Sequence, residues 1–294
     1  MAILIAGFGD LGAELAHQIR LDPQTSTTTV FAIRRHWSRC ADSADVFQLS
    51  ADLTNVSDLT VLNTLRCDIT TVIYCPTPDA RSESAYRDIY ISGLKNLIAA
   101  IESRQQKTAA QWVMVSSTAV YSNQAEGWVT ESTAPCPSSF NGNVLLEAER
   151  LVLSHDMNAL ITRLSGIYGP KKQHLIQALK DGNVRLPHDP GYWANRIHIE
   201  DAARAILHLI LRNECGIFIV SDPEPIPLAH LYRSLASALH APAPSPGPPS
   251  AMMGKKRASS IKLAATGFKF RWPNALDGYK AFISRGSSDI NHDK

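Results

Sequence analysis

The sequence predicts an α/β protein built on a doubly wound parallel sheet, and three observations carry that prediction. Short apolar runs recur as far as residue 220, separated by stretches with helical spacing. Several of the runs lack polar alternation, as strands covered on both faces require. The first run, Ala2-Ile3-Leu4-Ile5-Ala6, leads through Gly7-Phe8-Gly9-Asp10-Leu11-Gly12 into a helical pattern.

Taken in order, Ala2–Ala6 reads as a buried strand, and Leu11, Leu15 and Ile19 give the first helix an apolar face. Thr28–Ile33 is the second strand and Val46–Leu49 a weaker third, followed by Ala51-Asp52-Leu53. Thr71–Cys75 forms a fourth strand, ended by Pro76 and Pro78. One long helix is expected over roughly Ser82 to Glu102, with Leu94, Leu97, Ile98 and Ile101 as its stripe. Trp112–Ser117 is the fifth strand, Val144–Ser154 a helix, and Ala159–Arg163 the sixth strand. Asp201–Leu211 reads as a helix and Gly216–Val220 as a further strand. Pro-rich Ala241–Pro249 is a loop, and the polar tail 284–294 is expected to fray.

Strand, G-x-G-x-x-G and helix together form the context of a dinucleotide-binding turn. Gly7 permits the tight turn, Gly9 lets the backbone approach a pyrophosphate, and Gly12 lets the helix pack close to the strand. The leading N–H groups of the helix face the anion. The second strand exits into Arg34-Arg35, where an NAD-selective site would carry an acid. Two guanidiniums suit a 2′-phosphate, which predicts NADP over NAD; the alternative is that both are solvated surface arginines.

The net charge of +2 across 294 residues gives no nucleic-acid footprint, and no apolar stretch reaches membrane-spanning length. The run Lys255-Lys256-Arg257 is too short to change that and reads as a solvated face or a local anchor. Five scattered cysteines (Cys40, Cys67, Cys75, Cys136, Cys215) with no C-x-x-C pair, and a chain opening directly on a strand, predict a reduced cytoplasmic setting. The ten histidines form no compact ligand set, so no metal site is expected.

Further motifs make a family resemblance specific. Ser116-Ser117-Thr118-Ala119-Val120-Tyr121, Thr130-Glu131-Ser132 with Pro135, Arg163-Leu164-Ser165-Gly166-Ile167-Tyr168-Gly169-Pro170 and Arg196-Ile197-His198-Ile199-Glu200-Asp201 follow one another in order. With the glycine turn, they resemble the extended short-chain dehydrogenases/reductases of the NAD-dependent epimerase/dehydratase type over nearly the whole chain. The stretch from Lys256-Arg257 through Gly267 to Trp272-Pro273 is closest to the atypical, YeeZ-like subgroup.

The resemblance implies a Rossmann domain over 1–165 and about 195–221. A smaller C-terminal α/β substrate domain would cover about 166–194 and 222–283. It implies cofactor contacts from Gly7, Phe8, Gly9, Asp10, Leu11, Gly12, Arg34, Arg35, Asp52, Leu53, Cys75, Pro76, Thr77 and Ser116. Tyr168 and His198 would stand on the substrate side, His198 either as a structural residue or as a titrating one, while Arg185, His188 and Trp193 could line a pocket. The helices at 82–102 and 144–154 match those that pair family members, which fits a homodimer and equally ordinary packing on the sheet.

The family's Tyr-x-x-x-Lys dyad is missing. Its helix usually reads Y-G-x-S-K-L-x-x-E, and the matching stretch Asn141–Glu149 puts Asn141 and Leu145 at the Tyr and Lys positions. A phenol with an ordinary pKa of about 10 needs such a lysine to work near neutrality. Slipping the register by one gives Phe140 and Val144, and Tyr168-x-x-x-Lys172 contains Gly169 and Pro170 and follows the sixth strand, so neither restores the pair. Ser117 keeps the family's Ser/Thr position, as a ligand contact or a locally bonded hydroxyl, and Tyr121 is the nearest substitute acid/base.

Two functions follow. One is an NAD(P)-dependent oxidoreductase or epimerase acting on a sugar nucleotide or other polar carbonyl compound. The other is an NADP-binding sensor or interaction protein without turnover.

Overall fold

The structure is a computed structural model, and it describes residues 2–37, 46–104, 110–250 and 253–288. Cys40 and residues 289–294 lie outside the described residues. Seven strands form the large sheet: β1 (Ala2–Ala6), β2 (Thr29–Arg34), β3 (Phe47–Ser50), β4 (Thr71–Tyr74), β5 (Gln111–Ser117), β6 (Leu160–Leu164) and β7 (Gly216–Val220). Their order is β7-β6-β5-β4-β1-β2-β3. The pairings of β1 with β2 and β4, of β2 with β3 and of β4 with β5 are parallel. This is the doubly wound arrangement expected from the unalternating runs, with the strand order reversing beside β1, where such sheets hold ligands.

All five residues of β1 and all four of β4 are buried, so both strands are covered on each face. The first helix, α1 (Asp10–Leu21), buries Gly12, Leu15, Ala16 and Ile19. A Cβ on Gly12 would lie 3.0 Å from the Gly7 carbonyl oxygen and 3.3 Å from Ile5, so the glycine sets how closely α1 approaches β1.

The long helix expected at 82–102 is divided. It runs as α2 (Glu83–Arg87), a π-helical turn at Asp88–Gly93, and α3 (Leu94–Arg104). Tyr74, buried at the end of β4, donates its hydroxyl hydrogen bond to the Ile89 carbonyl at 2.5 Å, and Gly93 leaves room for that ring. A side chain inserted into the helical ladder widens it, and π turns of this kind are common beside functional sites.

Helix α4 (Phe140–His155) begins four residues before the apolar stripe that predicts it. On its inner face Glu149 accepts hydrogen bonds from Arg163 Nε (3.0 Å) and Nη2 (2.6 Å) on β6. Ser116 on β5 donates to the same carboxylate at 2.5 Å. All three side chains are buried, and removing one partner would leave an uncompensated charge in the core.

Contacts divide the chain into two units, Met1–Val120 with Pro137–Arg163 and Ala203–Phe218, and Tyr121–Cys136 with Leu164–Ala202 and Ile219–Lys294. Residues 121–136, 164–165, 195–202 and 219–221, assigned by the sequence to the dinucleotide-binding domain, group with the second unit. Backbone pairing gives the reason for 121–136 and 195–202: Gly127–Val129 runs parallel to Lys256–Ala258, and Arg196–His198 to Gly166–Tyr168.

The second unit also contains α5 (His174–Lys180), α7 (Leu228–Ala238), α8 (Ile261–Ala265) and α9 (Ala275–Ser288), while α6 (Ile199–Leu211) begins in it. Ile176, Leu179, Leu231, Leu235 and Tyr279 are central to its apolar core. Helix α9 continues through Ser288, so the chain from 284 to 288 is helical where the sequence predicted fraying.

Candidate functional site

A cavity of about 410 Å³ opens in the first unit where β1, β2, β3 and β4 end. Gly7, Phe8 and Gly9 form its floor, Ile33–Arg35 and Ala51–Thr54 one side, and Pro76–Asp79 with Ala85, Asp88 and Ile89 the other. The turn is built for this place. Gly7 has φ +99°, and a Cβ there would lie 2.4 Å from the Pro76 backbone, so no side chain fits. The N–H groups of Gly7 and Phe8 both donate to the Ile33 carbonyl, at 3.2 and 3.0 Å, which ties the turn to the end of β2.

Gly9 differs from Gly7. Nothing lies within 4 Å of where its Cβ would stand. It is the N-cap of α1 and makes no side-chain cap. A helix start of this kind, beside open space, matches an anion-accepting turn. Asp52 is held in a tight turn, its Oδ1 accepting from the Thr54 N–H at 2.8 Å and the Thr54 hydroxyl at 2.7 Å.

Nine of the expected cofactor contacts line the cavity: Gly7, Phe8, Gly9, Arg34, Arg35, Asp52, Leu53, Pro76 and Thr77. Asp10, Leu11, Gly12, Cys75 and Ser116 do not. Cys75 is buried against the Gly7 carbonyl at 3.3 Å, and burial pushes its thiol up to about 12. Ser116 is committed to Glu149. The sequence reading missed Asp79, Ala85, Asp88 and Ile89, which approach from the far side of the cavity. The Trp37 ring packs 5.2 Å from that of Phe8.

The two arginines are not equivalent. Arg35 donates through both terminal nitrogens to both oxygens of Asp79. That hydrogen bond holds the Asp79 carboxyl below its usual range. Arg34 is exposed at the cavity edge.

The expected chemical residues are placed as follows. Ser117 accepts a hydrogen bond from the Ala119 N–H at 3.1 Å. In the second unit Tyr121 is buried and donates to the Thr130 carbonyl at 2.9 Å. Asn141, at the start of α4, accepts from Ser139 at 2.6 Å, and Leu145 is buried. Tyr168 is buried between His198, at 5.2 Å, and Tyr279, stacked at 4.5 Å; burial drives its phenol well above the ordinary range.

His198 packs 5.0 Å from Trp272 and accepts from the Glu200 N–H at 3.3 Å; burial lowers its pKa. Asp201 accepts the backbone N–H groups of Arg271 (2.9 Å) and Trp272 (2.7 Å), so the Arg196–Asp201 segment ties down the C-terminal chain. Arg185 bonds to Ser245, His188 is exposed, and Trp193 packs on Arg257.

The basic run has three separate uses, so it is more than a solvated face. Lys255 pairs with Asp189 at 2.7 Å. Lys256 is buried and donates to the Tyr121 carbonyl at 2.9 Å and to Asn123 Oδ1 at 2.8 Å; burial lowers its pKa to about 8. Arg257 lies between Trp128 and Trp193, 4.8 and 5.0 Å from their ring centres. Among the described residues no cluster of His, Cys, Asp or Glu could hold a metal, and no helix is long and apolar enough to cross a membrane.

Residues 3–219 match the model of the NAD dependent epimerase/dehydratase family. The chain belongs to that family. A solved structure from Methylobacillus flagellatus, described as an NAD-dependent epimerase/dehydratase candidate, is 32% identical, with 97% of this chain and 98% of that one covered and a TM-score of 0.78. The UDP-glucose 4-epimerase of Thermus thermophilus, solved with NAD, shares the fold at 18% identity and TM-score 0.79, over 98% of this chain and 100% of that one. The dTDP-glucose 4,6-dehydratase of Bacillus anthracis, also solved with NAD, does so at 15% identity and TM-score 0.78, over 98% and 97%. Among curated proteins, a 3-diazoavenalumate denitrifying reductase from a Streptomyces species is 32% identical over 103 residues, which is 33% of this chain and 34% of that one.

Proposed function

We propose that the first unit binds a nicotinamide dinucleotide and that the chain transfers hydride to a polar carbonyl compound or from the corresponding alcohol, sugar nucleotides being the first class to test. The observation that carries this reading is the cavity itself, floored by a turn that only Gly7 can make and opened at Gly9 beside the start of α1. The family match and the partial likeness to a reductase support the redox part.

In this reading the Gly7–Gly9 backbone meets the pyrophosphate, Asp52 and Leu53 the adenosine end, and Arg34 and Arg35 a 2′-phosphate, which keeps NADP ahead of NAD. The bound dinucleotide would supply the hydride chemistry. The chain's own contribution is binding and orientation of the dinucleotide. Tyr121 already donates its hydroxyl to backbone, and α4 offers Asn141 and Leu145. Ser117 accepts from the Ala119 N–H and keeps its own O–H as a donor toward a carbonyl oxygen, so the proton that completes a reduction comes from solvent.

The committed Tyr121 hydroxyl, with Asn141 and Leu145 at the dyad positions, favours a second reading, a dinucleotide-binding sensor without turnover. NADPH and NADH fluorescence titrations, followed by turnover assays on carbonyl compounds and sugar nucleotides, separate the two. Binding with turnover supports the first reading, binding alone supports the second, and no binding contradicts both.

A further inference from the structure

Arg35 follows β2 and Asp79 follows β4, and these strands flank β1 on opposite sides. The turn at Gly7–Gly9 emerges between them, and both residues line the same cavity. Their ion pair therefore joins one wall of the cavity to the other. It occupies both terminal nitrogens of the guanidinium, the fork that would otherwise grip a phosphate. A second acid, Asp52, lines the cavity on the Arg35 side and also acts on that guanidinium.

We propose that Asp79 is a specificity-determining residue, which competes with the 2′-phosphate of NADP for Arg35 and so narrows the preference for NADP over NAD. The inference rests on the dinucleotide reading above. A dinucleotide without a 2′-phosphate leaves Arg35 on Asp79. One with it must take the guanidinium away from Asp79 and break that ion pair. An exposed ion pair of this kind is worth up to about 1 kcal/mol, which corresponds to a factor of about five in affinity.

The test measures Kd for NADPH and NADH by fluorescence titration on wild type, Asp79→Asn, Arg35→Ala and the double variant. Asp79→Asn is expected to tighten NADPH about fivefold and leave NADH within about twofold. In the Arg35→Ala background the same change should have no effect on either nucleotide, since the competitor then has nothing to hold. Equal effects on both nucleotides, weaker NADPH binding, or an effect that survives Arg35→Ala would each overturn the proposal. NADH binding that is sound throughout, with NADPH insensitive to Asp79, defeats this proposal alone. Failure of every form to bind either nucleotide defeats the dinucleotide reading and this proposal with it.

Discussion

Arg163 and Glu149 form a buried ion pair between β6 and α4, with Ser116 as a third partner on the same carboxylate. Neither charge reaches solvent, so the pair holds only while both members are present. Glu149→Ala is expected to lower stability by about 3–5 kcal/mol, because Arg163 stays buried after its carboxylate partner is removed. Urea unfolding followed by circular dichroism reads this directly. A loss under about 1 kcal/mol would show that the core relaxes around the arginine.

The glycine turn separates fold from binding. Gly7→Ala meets both a left-handed backbone and the Pro76 backbone 2.4 Å away, so its melting temperature should fall by several degrees. Gly9→Ala meets nothing within 4 Å and should melt with wild type while losing dinucleotide affinity. Thermal scans of the two variants check the first difference.

Asp201 holds the Arg271 and Trp272 backbone through its carboxylate. Asp201→Ala takes a charged acceptor from two part-buried N–H groups and should cost about 1.5–3 kcal/mol. Limited proteolysis should then cut near 271 earlier than in wild type. Unchanged proteolysis would mean that other contacts secure that segment.

Lys256 gives a pH dependence of defined sign. Its ammonium is held by neutral oxygens in a buried place, and its pKa falls from the ordinary 10.5 to about 8. Between those values the unfolded chain keeps a proton that the folded chain has released, so stability rises with pH across that window. Relative to Lys256→Met, wild type should gain up to about 3 kcal/mol from pH 8 to 10.5. Denaturation midpoints of both proteins across the window test this, and parallel curves would count against a shifted lysine.

Much of the first unit is legible in the sequence because buried parallel strands leave unbroken apolar runs and Gly7, Gly9 and Gly12 have position-specific roles. The division of the 82–102 helix is not legible, since the Tyr74–Ile89 bond that widens it joins residues on different elements. Asp79 was missed for a related reason. Nothing local marks it, and its meaning comes from the sheet order that sets it across β1 from Arg35. In the second unit Tyr168 and His198 appear in their motifs, yet only packing shows them committed to the core beside Tyr279 and Trp272.

The central claim is that the Gly7–Gly9 turn floors a dinucleotide site. It is tested most directly by titrating wild type and Gly9→Ala with NADPH and NADH side by side, monitoring nicotinamide fluorescence. The account predicts saturable binding to wild type and a loss of at least about tenfold in the variant, some 1.4 kcal/mol, with its melting temperature unchanged. Absence of saturable binding to wild type, or equal affinity in a folded Gly9→Ala protein, would contradict it.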